Sequence, residues 1–389
     1  MSELQAPDVS LFAREQVSRH PSGKAFRHRD VDEATRASRS ARGFVAWVLI
    51  SFLASFGLVW IYVWTMPMAF LDRDYPVWIA KRAMLDTCRL GTVSVFGDSR
   101  TMAAVKPDAM PLPVTNFALS GTSPLETYFA VQRALRCPTP PKLVVIAHGA
   151  LKFALDSDYW VFSARAGFLD YAEMRSVEAE AARLHDHELE DLRRGDEFGP
   201  AVRERLFALR YPPFYFDSLV NGFLFARWFN NRHAMAEALR TSGHMTFGAA
   251  SGDSGVAGEG GSRAFQPSPL VDFYFDKTLA LLAAHHVPVV FLSMPVNQAT
   301  FDDMTPQLQQ KFDAYLRTKA DQFPGLRVVG PPIPCWPNRF YGDSWHFNET
   351  GATAFSRELG PWLQAVLADG PAQPLPNHCD TTENLANRG

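Results

Sequence analysis

The tripeptide Gly-Asp-Ser occurs three times in the chain, and each copy offers a serine that could act as a nucleophile. The copies end at Ser99, Ser254 and Ser344, and Asp343 of the third copy stands three residues before His346. A serine hydroxyl is a weak nucleophile, and a histidine oriented by a carboxylate can activate it as a base. This pattern predicts Ser99 as the nucleophile, His346 as the base and Asp343 as its orienting partner.

The surroundings of each copy decide between them. Ser99 directly follows the apolar run TVSVF and opens a helical pattern, which places it at the carboxyl edge of a parallel sheet, where ligands bind. A helix N-terminus there offers backbone N–H groups to an oxyanion. Ser254 lies in GAASGDSGVAGEGGS, a composition typical of a flexible loop, and Ser344 has no predicted role.

Apolar strand patterns alternate with helical patterns on both sides of a central helical region. TVSVF, PVTNFAL, KLVVIA, HVPVVFLSMP and GLRVVG are the strand candidates, and the last helix is expected to begin near Asn348. Such alternation predicts an α/β fold with a doubly wound parallel sheet and helices on both faces.

A long run without charged residues precedes this domain. It extends from Gly43 to Leu71 and follows a tail rich in arginine. About 20 apolar residues span a bilayer, and the positive-inside rule keeps the basic tail in the cytoplasm. We therefore expect an uncleaved single-pass anchor in the inner membrane with the C-terminal domain on the periplasmic side. A buried core helix is the alternative.

These patterns divide the chain into consecutive segments. The predicted boundaries are 1–42 for the cytoplasmic tail, 43–71 for the anchor, 72–90 for a linker, 91–152 and 269–370 for the two halves of the α/β domain, 153–268 for a helical insertion and 371–389 for a C-terminal tail.

Composition excludes some functions. The 389 residues carry a formal net charge of -3, so the chain lacks the basic surplus of a nucleic-acid-binding protein. No Cys/His cluster has metal-binding spacing, so neither a metal nor a cofactor is predicted.

Four cysteines are compatible with an oxidising compartment. Cys88 lies just before TVSVF and Cys137 just before KLVVIA, so both would lie at one sheet edge if these strands are neighbours. If Cys88 pairs with Cys137, then Cys335 and Cys379 form the second pair. Four free thiols are the alternative.

Three segments together resemble the SGNH (GDSL-type) hydrolase superfamily: VFGDSR around Ser99, NFALSGTSPLE around Gly121, and DSWHFNETGA with Asp343 and His346. The resemblance covers roughly residues 91–152 and 270–367 and implies a flavodoxin-like sheet. It also implies that the backbone N–H groups of Ser99 and Gly121 form the oxyanion hole.

The chain departs from this family after the third strand. The family usually places an asparagine there as a further oxyanion donor, whereas this chain reads AHGALKF. The side chain of His148 or the amide of Gly149 could substitute. An ordinary polar strand end is the alternative for His148.

Several residues near the predicted triad are candidates for substrate binding. Arg100 could attract an anionic substrate, or it could be an ordinary solvated residue. Aromatic faces could stack on sugar rings or could pack in the core. The aromatic candidates are Trp336, Phe340, Tyr341 and Trp345.

A site of this family implies acyl transfer to water or to another hydroxyl. The anchored, extracytoplasmic arrangement is similar to that of proteins that O-acetylate exported polysaccharides or cell-wall glycans beside a multi-spanning acyltransferase of the MBOAT type. We expect an O-acyltransferase that transfers an acetyl group to a glycan. A glycan or lipid esterase, and a non-catalytic carbohydrate-binding or assembly protein, are the alternatives.

The predicted topology can be tested with reporter fusions. Alkaline phosphatase fused after residue 389 should be active, and green fluorescent protein fused at the same point should be dark, because the domain lies outside the cytoplasm. Fluorescent protein fused before residue 1 is the control and should be bright. The reverse pattern would contradict the predicted orientation.

Overall fold

The structure of the protein is a computed structural model. Five parallel strands form its central sheet. They confirm the predicted α/β fold with a parallel sheet. The structure describes residues 25–72, 74–153, 159–186, 199–247, 255–258, 265–370 and 375–379.

The sheet has the strand order β2-β1-β3-β4-β6, and a separate pair joins β5 to β7. Every pairing is parallel, so the carboxyl ends of the five strands share one edge. The strands are β1 Val93–Gly97, β2 Val114–Asn116, β3 Leu143–His148, β4 Val289–Ser293, β5 Val296–Asn297, β6 Leu326–Val329 and β7 Cys335–Trp336.

Successive side chains of the strands point to opposite faces of the sheet and belong to two separate hydrophobic cores. Val144 and Ile146 of β3 belong to one apolar cluster, whereas Val145 and Ala147 belong to another on the opposite face. Both faces of a buried parallel strand are apolar, which explains the uninterrupted apolar run KLVVIA. Helices therefore cover both faces of the sheet.

The described helices are numbered here in chain order. Their bounds are α1 Ala25–Thr65, α2 Pro67–Phe70, α3 Asp74–Asp86, α4 Ser99–Ala104, α5 Pro124–Leu135, α6 Tyr171–Leu184, α7 Pro200–Ala208, α8 Phe216–Leu224, α9 Arg227–Arg240, α10 Pro269–Ala284, α11 Gln298–Asp303, α12 Pro306–Gln322 and α13 Glu349–Leu367.

Local sequence explains where the helices begin. Ser123 and Glu126 form a reciprocal capping box at the start of α5. Asn348 caps α13 by accepting a hydrogen bond from the Gly351 amide, at the position where the sequence predicts a helix start.

Helix α1 contains the predicted anchor. Among the described residues, one segment, Thr35–Thr65, is long and apolar enough to cross a membrane. Its apolar side chains are exposed, and Phe44 and Trp47 each leave 70% of their surface uncovered. Exposure of so many apolar side chains to water is energetically unfavourable, so this helix is better suited to a membrane.

The anchor ends earlier than the sequence predicts. Helix α1 stops at Thr65, and Pro67 begins the separate short helix α2. Phe70 and Leu71 are buried in the core of the domain, so they are not part of a span. The expected end at residue 71 is wrong because apolar core residues directly continue the apolar anchor.

The linker expected over 72–90 is also different in the structure. Residues Asp74–Asp86 form α3, and Tyr75, Trp78 and Met84 on it are buried in the core. Val77 and Ala80 of the same helix are buried in a second cluster, so most of α3 is covered, and the charged residues among its apolar positions weaken the helical pattern in the sequence. Helix α3 therefore belongs to the globular unit, which begins at Tyr62.

The described part of the predicted insertion is helical. It contains a π-helical turn at Tyr159–Ala164, a short 3-10 helix at Pro212–Tyr215 and the helices α6 to α9. Most of the glycine- and serine-rich segment, including Ser254, lies outside the described residues. So do the first 24 residues of the basic tail and most of residues 371–389.

Both predicted cysteine pairs are disulfides in the structure. Cys88 bonds to Cys137 with their Cα atoms 5.6 Å apart, and Cys335 bonds to Cys379 with a Cα separation of 5.4 Å. The first pair lies at the amino edge of the sheet because β1 and β3 are neighbours.

Removal of the first disulfide should destabilise the domain. Cys88 and Cys137 are 49 residues apart, and a loop of that length corresponds to about 4 kcal/mol in the chain-entropy description. We expect Cys88→Ser/Cys137→Ser to lower the thermal unfolding midpoint by roughly 10 °C in detergent. Reduced wild-type protein should unfold earlier as well. An unchanged midpoint, or free thiols at both positions in a non-reducing peptide map, would contradict this disulfide.

Candidate active site

Ser99 lies at the carboxyl end of β1, where a tight turn begins α4. The Asp98 carboxylate caps the helix by accepting hydrogen bonds from the amides of Arg100, at 3.0 Å, and Thr101, at 3.3 Å. The Ser99 amide occupies the first helical position, for which a helix has no internal acceptor. Ser99 itself is half-buried, so its hydroxyl can meet a substrate.

Two contacts fix this turn against the neighbouring strand. A Cβ atom added to Gly97 would lie 1.9 Å from the Ala147 carbonyl oxygen, so only glycine fits there. The Thr101 hydroxyl donates to that same carbonyl at 2.6 Å. The backbone around Ser99 is therefore tied to the end of β3.

His346 lies beside Ser99 although 247 residues separate them in the chain. The His346 Nε2 atom is 2.9 Å from Ser99 Oγ. On the other side of the ring, Nδ1 lies 3.0 and 2.9 Å from the two carboxylate oxygens of Asp343. The structure thus brings all three predicted triad residues together in a hydrogen-bonded chain.

The turn that carries Asp343 and His346 is held by its own backbone. The amides of Trp345 and His346 both donate to Asp343 Oδ1 at 2.8 Å, and the Gly342 amide donates to the His346 carbonyl at 2.9 Å. Partial burial alone would raise the pKa of Asp343. The hydrogen bond from His346 and those from the two amides outweigh this effect and hold the pKa below its ordinary value.

An ionised Asp343 selects one tautomer of the histidine. Its oxygens can only accept, so the proton of neutral His346 is expected on Nδ1. Nε2 is then free to accept the Ser99 proton. The arrangement can therefore raise the nucleophilicity of Ser99.

Gly121, the expected second oxyanion donor, occupies a position that only glycine tolerates easily. Its φ is +67°, and an added Cβ would lie 2.3 Å from the Phe162 ring of the insertion. The loop that contains Gly121 is tied to β1, because the Thr122 hydroxyl donates to the Gly97 carbonyl at 2.8 Å. The turns around Gly121 and Ser99 thus share an anchoring strand.

The His148 side chain does not substitute for the family asparagine. The ring is fully buried, and its Nε2 lies 2.9 Å from the Thr127 hydroxyl. Burial lowers the pKa of His148 to about 4, against the opposing charge of Asp98. His148 is therefore a neutral core residue and cannot reach a substrate. The Gly149 amide stays a candidate.

Arg100 is neither solvated nor free to move, contrary to the solvated alternative. Its side chain is buried, its Nε lies 3.7 Å from Asp98 Oδ2, and its guanidinium lies 5.7 Å from the centre of the Trp345 ring. A Cβ added to Gly149 would lie 2.4 Å from an Arg100 nitrogen. The guanidinium therefore covers the strand end where the family asparagine is expected.

Asp98 and Arg100 form a buried charge pair next to the nucleophile. Burial would raise the pKa of Asp98, but the charges of Arg100 and Lys152, together with the Thr101 amide, lower it overall. The helix cap before Ser99 therefore stays ionised at neutral pH.

Most of the aromatic candidates belong to the core. Trp336 and Tyr341 are almost completely buried in the cluster under α13, and the half-buried Phe340 packs against that cluster. Of the two alternatives, core packing therefore holds for Trp336 and Tyr341, and neither contacts substrate, because the apolar flanks of the third Gly-Asp-Ser turn point inward. Trp345 leaves 38% of its surface exposed and remains a candidate.

Three side chains that shape the site are not among the residues predicted from the sequence. Phe247 stacks on the His346 ring, with centroids 4.5 Å apart and planes at 22°. Asn116 donates to the carbonyls of Thr101, Met102 and Val105, which ties β2 to α4. The Nζ atom of Lys81, buried under the loop before Gly121, donates to the Ala118 carbonyl. In the sequence, the asparagine at the end of an apolar strand pattern could have identified Asn116. No sequence pattern indicates Phe247 or Lys81.

A short segment of the insertion lines the rim of the site. The amide of Gly258 donates to Thr300 Oγ1 at 2.8 Å, and the Val256 carbonyl accepts a hydrogen bond from Asn297 at 3.0 Å. A Cβ on Gly258 would lie 2.4 Å from the Ser344 carbonyl oxygen. The third Gly-Asp-Ser copy is thus a structural turn that this segment covers.

Comparison of the chain with protein-family models and with curated proteins finds no match. Within the described ranges, no group of three or more His, Cys, Asp or Glu side chains is arranged to hold a metal ion. The function is therefore inferred from the geometry around Ser99.

Phe247 should matter for the reactivity of Ser99, because its ring covers one face of the base. Stacked aromatic pairs contribute about 0.5–1.5 kcal/mol, which corresponds to roughly 2- to 12-fold in rate. We expect Phe247→Ala to slow labelling of Ser99 by a fluorophosphonate within that range. Phe247→Tyr, which keeps the stacked ring, should label like wild type. Equal labelling rates for all three proteins would show that the stacking has no effect on the base.

Proposed function

We propose that this chain is a membrane-anchored enzyme that transfers an acyl group through Ser99. The observation that carries the proposal is the hydrogen-bonded chain from Ser99 Oγ to His346 Nε2 and from Nδ1 to Asp343. A half-buried serine, a histidine within hydrogen-bonding distance of it and a carboxylate with a lowered pKa are the combination that nucleophilic catalysis requires.

The first half-reaction would acylate the serine. Ser99 Oγ attacks the carbonyl carbon of the acyl donor while its proton passes to His346 Nε2. The amides of Ser99 and Gly121 are the proposed donors to the resulting oxyanion. The intermediate then collapses, the bond to the leaving group breaks, and the leaving group takes the proton from His346.

The second half-reaction would release the acyl group to an acceptor. A hydroxyl of the acceptor loses its proton to His346 Nε2 and attacks the carbonyl carbon of the acyl-serine. Ser99 leaves and regains the proton from His346. A sugar hydroxyl as acceptor makes the enzyme a transferase, and water makes it an esterase with the same residues.

The fold supports an SGNH-type assignment. Ser99 follows the first strand, Gly121 follows the second, and Asp343 and His346 precede the last helix, which is the order of motifs in that superfamily. The strand order β2-β1-β3-β4-β6 corresponds to that of flavodoxin-like sheets, whose ligands bind at the carboxyl edge next to β1 and β3.

The membrane anchor supports transfer to an exported glycan. If the basic tail is cytoplasmic, Ser99 works on the periplasmic side, which acyl-CoA does not reach. The acyl group, expected to be acetyl, must then be handed across the membrane, and a multi-spanning MBOAT-type acyltransferase is the proposed partner. An anchor keeps Ser99 close to such a source and raises its effective concentration.

Three substitutions test the role of the triad, and two more serve as controls. Ser99→Ala should abolish both fluorophosphonate labelling and acylation of the glycan, and His346→Ala should cost about as much, because triad members act as one unit. Asp343→Asn should lower activity by up to roughly 10⁴-fold, because the amide favours the wrong tautomer of His346. Mass spectrometry of the labelled serine and of the glycan gives both readouts.

The other two Gly-Asp-Ser copies supply matched controls. Ser254→Ala should match wild type, and Ser344→Ala should be close to it, because neither side chain takes part in the proposed reaction. Glycan acylation that survives Ser99→Ala would reject the enzyme and favour a carbohydrate-binding protein. Acetate release from a model ester without any glycan, at the full rate of turnover, would identify an esterase instead.

A further inference from the structure

Helix α8 and the residues after it expose an apolar surface that a soluble domain would cover. Phe216, Val220, Phe223 and Leu224 recur at the spacing of one helix face, and Phe223 leaves 89% of its surface uncovered. Phe225 and Phe229 extend this surface into α9 and are also exposed. We call these six residues the apolar patch.

The opposite side of α8 is fixed to the domain, so the apolar patch cannot turn inward. A Cβ added to Gly222 would lie 2.5 Å from the Phe70 Cα atom, which shows how closely α8 packs on α2. The buried Ser218 accepts a hydrogen bond from Arg165, whose carbonyl accepts another from the Tyr215 hydroxyl at 3.2 Å. The outward direction of the patch is therefore set by packing.

The patch lies beside the end of the candidate membrane span. The indole of Trp64, the penultimate residue of α1, donates to the Leu209 carbonyl at 2.8 Å. Asn231 of α9 donates to the carbonyls of Met68 and Leu71 at 2.9 Å. These bonds attach the insertion to the last turn of α1 and to the segment that directly follows Thr65.

Aromatic and cationic side chains flank this junction. The Arg210 guanidinium lies 5.9 Å from the centre of the Trp64 ring, and that of Arg232 lies 5.6 Å from the centre of the Trp228 ring. Tryptophan and arginine in this combination are typical of the boundary between hydrocarbon and headgroups. Arginine can also bind lipid phosphates in two hydrogen bonds.

We propose that the apolar patch inserts into the leaflet that faces the catalytic domain, and that bilayer lipid is its partner. The inference rests on the proposed anchor but not on the chemistry of Ser99. Because α1 must leave the bilayer near Thr65, the patch beside it meets the acyl chains just below the headgroups, as amphipathic interfacial helices do. Two attachments, the span and the patch, then fix the orientation of the domain on the membrane.

Position-specific fluorescence tests this insertion in the full-length protein. All four native cysteines are in disulfides, so Phe223→Cys provides a single thiol for an environment-sensitive dye. The protein is reconstituted in phosphatidylethanolamine/phosphatidylglycerol vesicles, in separate samples with lipids that carry a nitroxide near the headgroup and with lipids that carry it deep in an acyl chain, so that quenching at either depth is detected. We expect the dye at 223 to shift to shorter wavelength and to be quenched at least threefold more than a dye at the exposed Gln310→Cys.

A dye at Phe52→Cys, within the candidate span, separates failure of this proposal from failure of the anchor. Quenching at 52 with a water-exposed, unquenched dye at 223 would overturn the insertion and leave the anchor intact. An unquenched dye at 52 would reject the anchor itself and with it the insertion. A dye at 223 that is shielded only in native membranes, without lipid quenching, would identify a protein partner and also overturn the proposal.

Discussion

Parallel pairing of β1 with β3 is the constraint on which the site depends. The register joins Val93 to Leu143 at one end and Gly97 to Ala147 at the other. Because both strands run the same way, the turn at Ser99 and the end of β3 emerge at one edge of the sheet. The same pairing places the cysteines that precede the two strands at the opposite edge, where they form a disulfide.

The neighbourhood of Ser99 combines buried charge with tight backbone packing. Asp98 caps α4 and pairs with Arg100, whose guanidinium lies against Gly149 at the end of β3. Separating the two charges would leave each buried without compensation, which is strongly unfavourable. The pair therefore favours one conformation of the turn at Ser99, which keeps the Ser99 hydroxyl within hydrogen-bonding distance of His346.

The helical insertion contacts two separate parts of the molecule. On one side, Phe247 stacks on His346 and the Phe162 ring fills the space beside Gly121. On another, Leu209 accepts a hydrogen bond from Trp64 near the end of α1, and Asn231 donates to the Leu71 carbonyl after it. The insertion thus contacts both the candidate site and the residues around Thr65 that end α1.

The sequence by itself determined the features that depend on local pattern. Alternating apolar runs predicted the parallel sheet, and the three-residue spacing of Asp343 and His346 predicted that one orients the other. The long uncharged run predicted the anchor, since spanning length and charge are properties of the sequence alone.

Only the tertiary structure decided which side chains face the site. Trp336 and Tyr341 precede His346 closely but point into the core, whereas Phe247 comes from the irregular segment after α9 and covers the ring. The sequence also could not separate the anchor from Phe70, because lipid and protein core both select apolar residues. Direction and burial arise from long-range packing, which local pattern does not encode.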